Sequence, residues 1–198
     1  MRKYLILCSV FIVLAVLGQP CARNHLFGGT RAFAAASEDH GGKIVSYYDG
    51  FNHETIVALK KMKVTCGGRR IDAKGQCVFI LASLHCPGIQ LDYVRQVTLQ
   101  VVFETEKWDQ RHPLDQRDLS VVADGETFRL GRMQFVSQSV DTLMTETLEI
   151  NLPYKTFQKM ALAEVVEVQV GKSKFELRNK NVSALRDLNN RVKFAKGI

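Results

Sequence analysis

The stretch best equipped for chemistry is Lys107-Trp108-Asp109-Gln110-Arg111-His112-Pro113-Leu114-Asp115-Gln116-Arg117-Asp118, which holds the chain's single tryptophan, a histidine, three acids and three bases. Its polarity and lack of periodicity predict a long loop, and long loops on rigid scaffolds are where binding groups concentrate. A histidine beside carboxylates can do general acid–base work, so a small secreted hydrolase using His112 and carboxylates of the 107–118 loop is one reading of this stretch. Trp108, Arg111 and His112 are equally the groups with which a non-enzymatic loop would hold a ligand. The plainer alternative is a solvated loop with Trp108 tucked onto a sheet.

The cysteines are the next candidates. Cys66 ends the alternating run Met62-Lys63-Val64-Thr65-Cys66, and Cys77 opens Cys77-Val78-Phe79-Ile80-Leu81. The residues between read as a hairpin connection, so a Cys66–Cys77 disulfide across its base is geometrically sensible if the strands pair there. Closing so short a loop stabilises a fold by about 2–3 kcal/mol in the chain-entropy model. Two alternatives stay open: unpaired buried thiols, or a metal site drawn from Cys66, Cys77, His85 and Cys86. Against metal, there is no C-x-x-C pair, and neighbours on an extended strand point to opposite faces. The expectation is no metal and no cofactor, with Cys86 left over as a buried thiol or as a partner for Cys21.

Other motifs are weaker. Gly67-Gly68-Arg69-Arg70 could present backbone N–H groups and guanidinium groups to an anion, but reads better as a hairpin tip. Tyr47-Tyr48-Asp49-Gly50-Phe51 could stack on a sugar or base, and is expected instead to dock on the core. Lys60-Lys61-Met62-Lys63 would place its lysines on both faces of a strand, a poor phosphate track. Asn181-Val182-Ser183 matches a glycosylation triplet at a helix start. No G-x-S-x-G elbow, Walker loop, H-E-x-x-H, G-x-G-x-x-G or EF-hand pattern occurs.

The elements that must position these residues are mostly strands. Val97, Leu99, Val101 and Phe103 alternate with Thr98, Gln100, Val102 and Glu104, which is the period of a strand with one buried face, blurred only by Val102. Leu119–Ala123, Asp124-Gly125 and Glu126–Leu130 predict a tight hairpin, because Asp-Gly tolerates the positive φ of its turn. Extended character continues through Met133–Ser137 and Thr145–Leu152. Pro153 can open a helix without losing a bond, and Phe157, Met160 and Ala161 share one face of it. Val166–Val170, Gly171-Lys172 and Lys174–Leu177 give a second hairpin that echoes the first, with Phe128 and Phe175 in matching places. Asn179 or Asn181 can cap a last helix whose apolar stripe is Val182, Leu185, Leu188 and Val192. No parallel βαβ alternation appears. The predicted class is therefore mainly β (α+β possible): an antiparallel β-sandwich or curved sheet, a short helix near 153–163 and an amphipathic C-terminal helix near 181–194.

The N-terminus reads as an address. Arg2 and Lys3 precede an apolar run to Leu17, the layout of a signal peptide and too short for a comfortable membrane span. The expected organisation is a signal peptide over 1–18 with cleavage possibly as late as 34, a flexible leader over 19–43, and one β-rich domain over 44–198. An uncleaved anchor and a lipid-modified Cys21 are the alternatives. The chain has 198 residues and a formal charge of +7. Arg2, Lys3, Arg23 and Arg31 fall before any acid, so cleavage after Ala34 leaves 23 bases against 20 acids. A nucleic-acid partner is thereby disfavoured, and membrane contact is expected only through an uncleaved or lipid-modified N-terminus.

Tyr48-Asp49-Gly50-Phe51 with Thr55, the Phe175-x-Leu177 strand end and Leu185-Arg186-Asp187-Leu188 carry a resemblance to exported bacterial β-rich proteins of uncharacterised function. It spans about residues 45–193 and supplies no catalytic residue. It implies a periplasmic, extracellular or envelope-associated protein. The leading expectation is a non-enzymatic partner- or ligand-binding β domain of the cell envelope, with the His112 hydrolase as the alternative.

Overall fold

The computed structural model describes residues 40–66, 76–106, 112–140 and 143–192. The proposed signal, Cys21, the Gly67–Arg70 run, Trp108 and Arg111 lie outside them.

Ten strands and two helices build two antiparallel sheets. The strands are β1 (Ile44–Asp49), β2 (Glu54–Cys66), β3 (Cys77–Pro87), β4 (Gln96–Thr105), β5 (Asp118–Ala123), β6 (Glu126–Arg132), β7 (Gln134–Val140), β8 (Met144–Leu152), β9 (Val166–Val170) and β10 (Ser173–Leu177). The larger sheet runs β1-β2-β3-β4-β8-β7 and the smaller β10-β9-β5-β6. Helix α1 covers Tyr154–Leu162 and helix α2 Asn179–Asn190. The architecture is the expected mainly-β one, with two open sheets and a C-terminal helix.

Alternation decides which face of the larger sheet is dry. On β3, Val78, Ile80, Ala82, Leu84 and Cys86 are buried, while Phe79, Leu81, Ser83 and His85 between them are half-buried. On β8, Leu148, Ile150 and Leu152 continue that inner face. The smaller sheet supplies a facing row in register, Phe128–Val121–Val168–Phe175. Residues of both sheets and both helices join in one hydrophobic cluster. Burying such side chains contributes roughly 1.5–3 kcal/mol each, the largest favourable term in a fold of this size.

The two echoing hairpins lie side by side. β5 pairs with β9, Val121 opposite Val168, so the smaller sheet is built from two copies of one shape in antiparallel contact. At the first turn Asp124 and Gly125 both take positive φ, as Asp-Gly predicts. Asp124 also accepts from the backbone N–H groups of Glu164 and Val165, tying that turn to the link after α1. At the second turn Gly171 is indispensable for a different reason. A Cβ there would fall 2.1 Å from the carbonyl oxygen of Gln116, which ends a 3-10 helix over Leu114–Gln116.

The helices differ slightly from expectation. Pro153 is the residue before α1 rather than its first, and Phe157, Met160 and Ala161 are fully buried. α2 begins at Asn179, two residues early, because Arg178 occupies the cap position. Asn181 accepts from the Arg178 N–H and donates to the Lys63 carbonyl. Its glycosylation triplet is thus folded into the α2–β2 contact, with the asparagine 7% exposed. Upstream of β1, His40 contacts Asp187 on α2 at 3.3 Å, and Gly42 packs against Leu59 and Ala184 with no room for a Cβ.

Cys66 and Cys77 form a disulfide at directly paired positions of β2 and β3. At the other end of the same pair, Glu54 on β2 bonds His85 on β3. Cys86 is free and buried. Burial, with Asp92 and Glu54 nearby, pushes its thiol up to about 11. A disulfide is the usual state of paired cysteines in an oxidising compartment. Among the described residues no helix is long and apolar enough to cross a membrane.

Candidate functional site

His112 is not in open solvent. The residue is 5% exposed and lies between the two sheets. Its Nδ1 is 2.8 Å from Oε2 of Glu146 on β8, and its Nε2 is 2.9 Å from Oγ of Ser173 on β10. Glu146 belongs to the inner stripe of β8, two residues before Leu148, where an apolar residue would be the default. Ser173 is paired with Val170, which places it on the inner face of the smaller sheet. The histidine therefore bridges the sheets as a polar strut, with its ring against Phe103 at a centroid distance of 4.2 Å.

The strut is held from several sides. Glu146 Oε2 also accepts from the His112 backbone N–H at 3.1 Å. Arg117 donates to the His112 carbonyl and lies 3.7 Å from Glu146 Oε1. An ionised carboxylate only accepts, so Nδ1 would donate to it, and in the neutral imidazole Nε2 would accept from the Ser173 hydroxyl. That order, acid–imidazole–hydroxyl, is the one by which a serine is activated as a nucleophile. The carboxylate that engages His112 comes from β8, whereas the sequence pointed to the acids of the 107–118 loop. Of those, Asp118 is 3.6 Å from Arg132 instead.

A second arrangement of the same chemistry occupies the outer face of the larger sheet. Glu54 Oε1 is 2.9 Å from His85 Nδ1, and His85 Nε2 is 3.1 Å from Ser83 Oγ and 3.3 Å from Thr98 Oγ1. Arg95 pairs with the other oxygen of Glu54. Thr98 and Gln96 both donate to Asn151, which extends the ladder across β4 and β8. His85 and Cys86 point to opposite faces, and Cys66 and Cys77 are consumed by their disulfide, so the four metal candidates do not converge. Among the described residues no group of three or more His, Cys, Asp or Glu side chains could hold a metal ion.

The aromatic segment at the domain start does not dock on the core. Tyr47 and Tyr48 are exposed on β1, and Phe51, in the β1–β2 turn, is 92% exposed. The β3–β4 loop lies beside that turn. Gly88 N–H donates to the His53 carbonyl, and Thr55 donates to the Gly88 carbonyl. This second loop carries Ile89 at 79% and Tyr93 at 60% exposure. Two neighbouring loops thus present three large apolar side chains to water, close to the Glu54–His85–Arg95 group. Sequence reasoning singled out Phe51 for its aromatic neighbours and missed Ile89 and Tyr93, which alternate with Gln90, Leu91 and Asp92 in a short loop.

Two depressions are more open. One, about 160 Å³, lies on the outer face of the larger sheet against Tyr47, Ala58, Leu81, Ser83, Thr98 and Gln100. The other, about 520 Å³, lies outside the smaller sheet against residues including Gln116, Ser120, Arg129, Gln169 and Lys172. Neither has His112 or Ser173 in its wall. The lysine run does not divide between the two faces as expected: a bulge between Leu59 and Met62 turns both of these inward and leaves Lys60, Lys61 and Lys63 exposed, with Lys61 paired to Glu104 over the Phe79 ring.

No family model, no curated protein and no solved structure matches this chain.

Proposed function

We propose that this is an exported cell-envelope protein, non-enzymatic, that binds a partner or ligand through the loop end of its larger sheet. The observation that carries the reading is the exposure of Phe51, Ile89 and Tyr93 on two hydrogen-bonded loops. Large apolar side chains grouped on loop tips are expensive to leave in water and are typical anchors of an interface. Arg95, with its side chain 53% exposed and held by the buried Glu54 carboxylate, would belong to a polar rim beside them. Export rests on the signal-like N-terminus and is supported by the disulfide. Described bases pair with acids on both sheets and on α2, as in Lys61–Glu104, Lys174–Glu167 and Arg191–Asp187, which supports a reading without nucleic acid.

The test is native purification of the protein with whatever accompanies it, alongside a Phe51→Ser, Ile89→Ser, Tyr93→Ser variant. The expected outcome is a companion that the variant loses while its unfolding temperature stays unchanged. Equal retention by both proteins would overturn the assignment to these loops.

A second reading, a serine-type hydrolase, is favoured by the Ser173–His112–Glu146 geometry. His112 would take the Ser173 proton as the hydroxyl attacks an ester carbonyl. A fluorophosphonate probe should then label wild type at Ser173 and leave Ser173→Ala unlabelled. Absence of label on folded wild type removes it.

A further inference from the structure

The outer face of the larger sheet stays outside the hydrophobic cluster. That cluster takes Val57, Val78, Ile80, Leu84 and Leu99 from the inner face and none of Ala58, Leu81, Ser83, Thr98 or Gln100 from the outer one. Register lines the outer residues up in rows across the strands. Ala58, Ser83, Thr98 and Asn151 form one row from β2 to β8, and Leu81, Gln100 and Glu149 form the next. The middle of these rows is therefore mostly uncharged and rich in hydroxyl and amide groups.

The 160 Å³ depression lies on these rows. Ala58 and Leu81 give it apolar surface, Ser83, Thr98 and Gln100 give it polar surface, and Tyr47, 38% exposed, borders it from β1. Lys60 is the one charged residue in its wall and is itself exposed. Hydrogen bonds hold the polar groups in place without exhausting them. Ser83 bonds the His85 imidazole at 3.1 Å and keeps a lone pair to offer. Gln100 donates to Glu149 through one end of its amide and keeps the carbonyl end. Asn151 accepts from Thr98 and Gln96 through its carbonyl and keeps its N–H groups. The face thus presents fixed acceptors and fixed donors side by side, next to an aromatic ring.

We propose that this face is a binding site for a neutral glycan, separate from the Phe51–Ile89–Tyr93 loops. A hydroxyl group both donates and accepts, so a hydroxyl-rich ligand can use both kinds of free group at once. An anion would meet only the donors and a cation only the acceptors. A sugar ring also has an apolar C–H face, which packs on an aromatic side chain such as Tyr47. The depression seats one ring between Tyr47, Ser83 and Gln100. The row from β2 to β8 spans three strand spacings, about 14 Å, so the next ring of the chain lies over Thr98 and reaches Asn151. Because the polar groups are already ordered by their mutual bonds, little side-chain freedom is lost on binding.

The test is an array of neutral, uronic-acid and sulfated oligosaccharides probed with the exported form, followed by calorimetric titration of the neutral oligosaccharide that binds best. Wild type should bind a neutral oligosaccharide, with an affinity that salt leaves unchanged. Tyr47→Ser should raise its Kd about tenfold, whereas Tyr47→Phe, which keeps the ring, should stay near wild type. Gln100→Ala should weaken binding as well. Near-UV circular dichroism checks that each variant is folded, and the exposed Tyr47 changes carry the test if Gln100→Ala unfolds. Three results would overturn the proposal: no neutral oligosaccharide bound, binding confined to sulfated ones and abolished by salt, or Tyr47→Ser binding as wild type does.

Discussion

The molecule contains one chemical arrangement twice, in different surroundings. Glu146–His112–Ser173 spans the interior between two sheets, with the Glu146 side chain 2% and the His112 side chain 6% exposed. Glu54–His85–Ser83 lies on the outer face of one sheet, where the Glu54 side chain is 5% exposed but its partners His85, at 18%, and Arg95, at 53%, reach water. In both, a carboxylate orients an imidazole and the far nitrogen meets a hydroxyl. The lesson is that this triad geometry is one way for a buried histidine to satisfy both ring nitrogens; His40, held by Asp187 and the Gly42 N–H, is another. Geometry alone therefore does not distinguish a nucleophile from a strut. What differs is the cost of losing a member, because an uncompensated buried charge is far worse than a wetted one.

The largest expected effect follows from that difference. His112→Leu should cost about 3–5 kcal/mol in urea unfolding, since it leaves the buried Glu146 carboxylate without its imidazole donor. Adding Glu146→Leu should recover much of the loss, because removing both partners of a buried pair is often close to neutral. If the double variant is no better than the single, the strut contributes more than mutual satisfaction.

Reduction of the Cys66–Cys77 disulfide should cost about 2–3 kcal/mol, read as the difference in unfolding free energy with and without reductant. This tests the strand pair that carries Glu54 and His85 and leaves the inner strut untouched. Glu54→Gln should cost less, about 1–2 kcal/mol, because His85 and Arg95 remain within reach of water. An effect as large as that of His112→Leu would erase the distinction between the two surroundings.

The smallest effect concerns a third carboxylate–histidine pair, Asp187 with His40. Burial alone would raise the Asp187 carboxyl, but hydrogen bonds and charges from Arg191 and His40 outweigh it and hold the carboxyl below the usual value. A depressed folded value means that its stabilisation is complete above the unfolded value and is lost as the pH falls through the lower, folded one. Asp187→Asn should therefore flatten part of the acid limb of the stability curve, measured by thermal melts through the acidic range, and change little of its slope near neutral pH.

Much of the fold was legible because parity and turn chemistry are local. Leu148, Ile150 and Leu152 mark the inner face of β8, and Asp124-Gly125 marks its hairpin. Glu146 carried a readable sign that was passed over: it falls on the inward parity of the same strand, and an acid in a dry stripe asks for a partner. Ser173 carried none, since its partner lies on a segment 61 residues away and only the stacking of the sheets brings them together. β1 was misjudged because its tyrosines read as core anchors. On an edge strand at the sheet's rim they have no second layer to enter.

The β2–β3 pair has one more consequence. Its alignment is written at both ends in different inks: a covalent bond between Cys66 and Cys77, and a hydrogen bond between Glu54 and His85. A one-residue slip would misspell both at once, and would also turn every inward side chain of the longest hairpin outward. The bulges between Leu59 and Met62 and between Lys63 and Thr65 absorb the extra residues in between. The hairpin is thus proofread from its two margins while its middle line is free to vary in length.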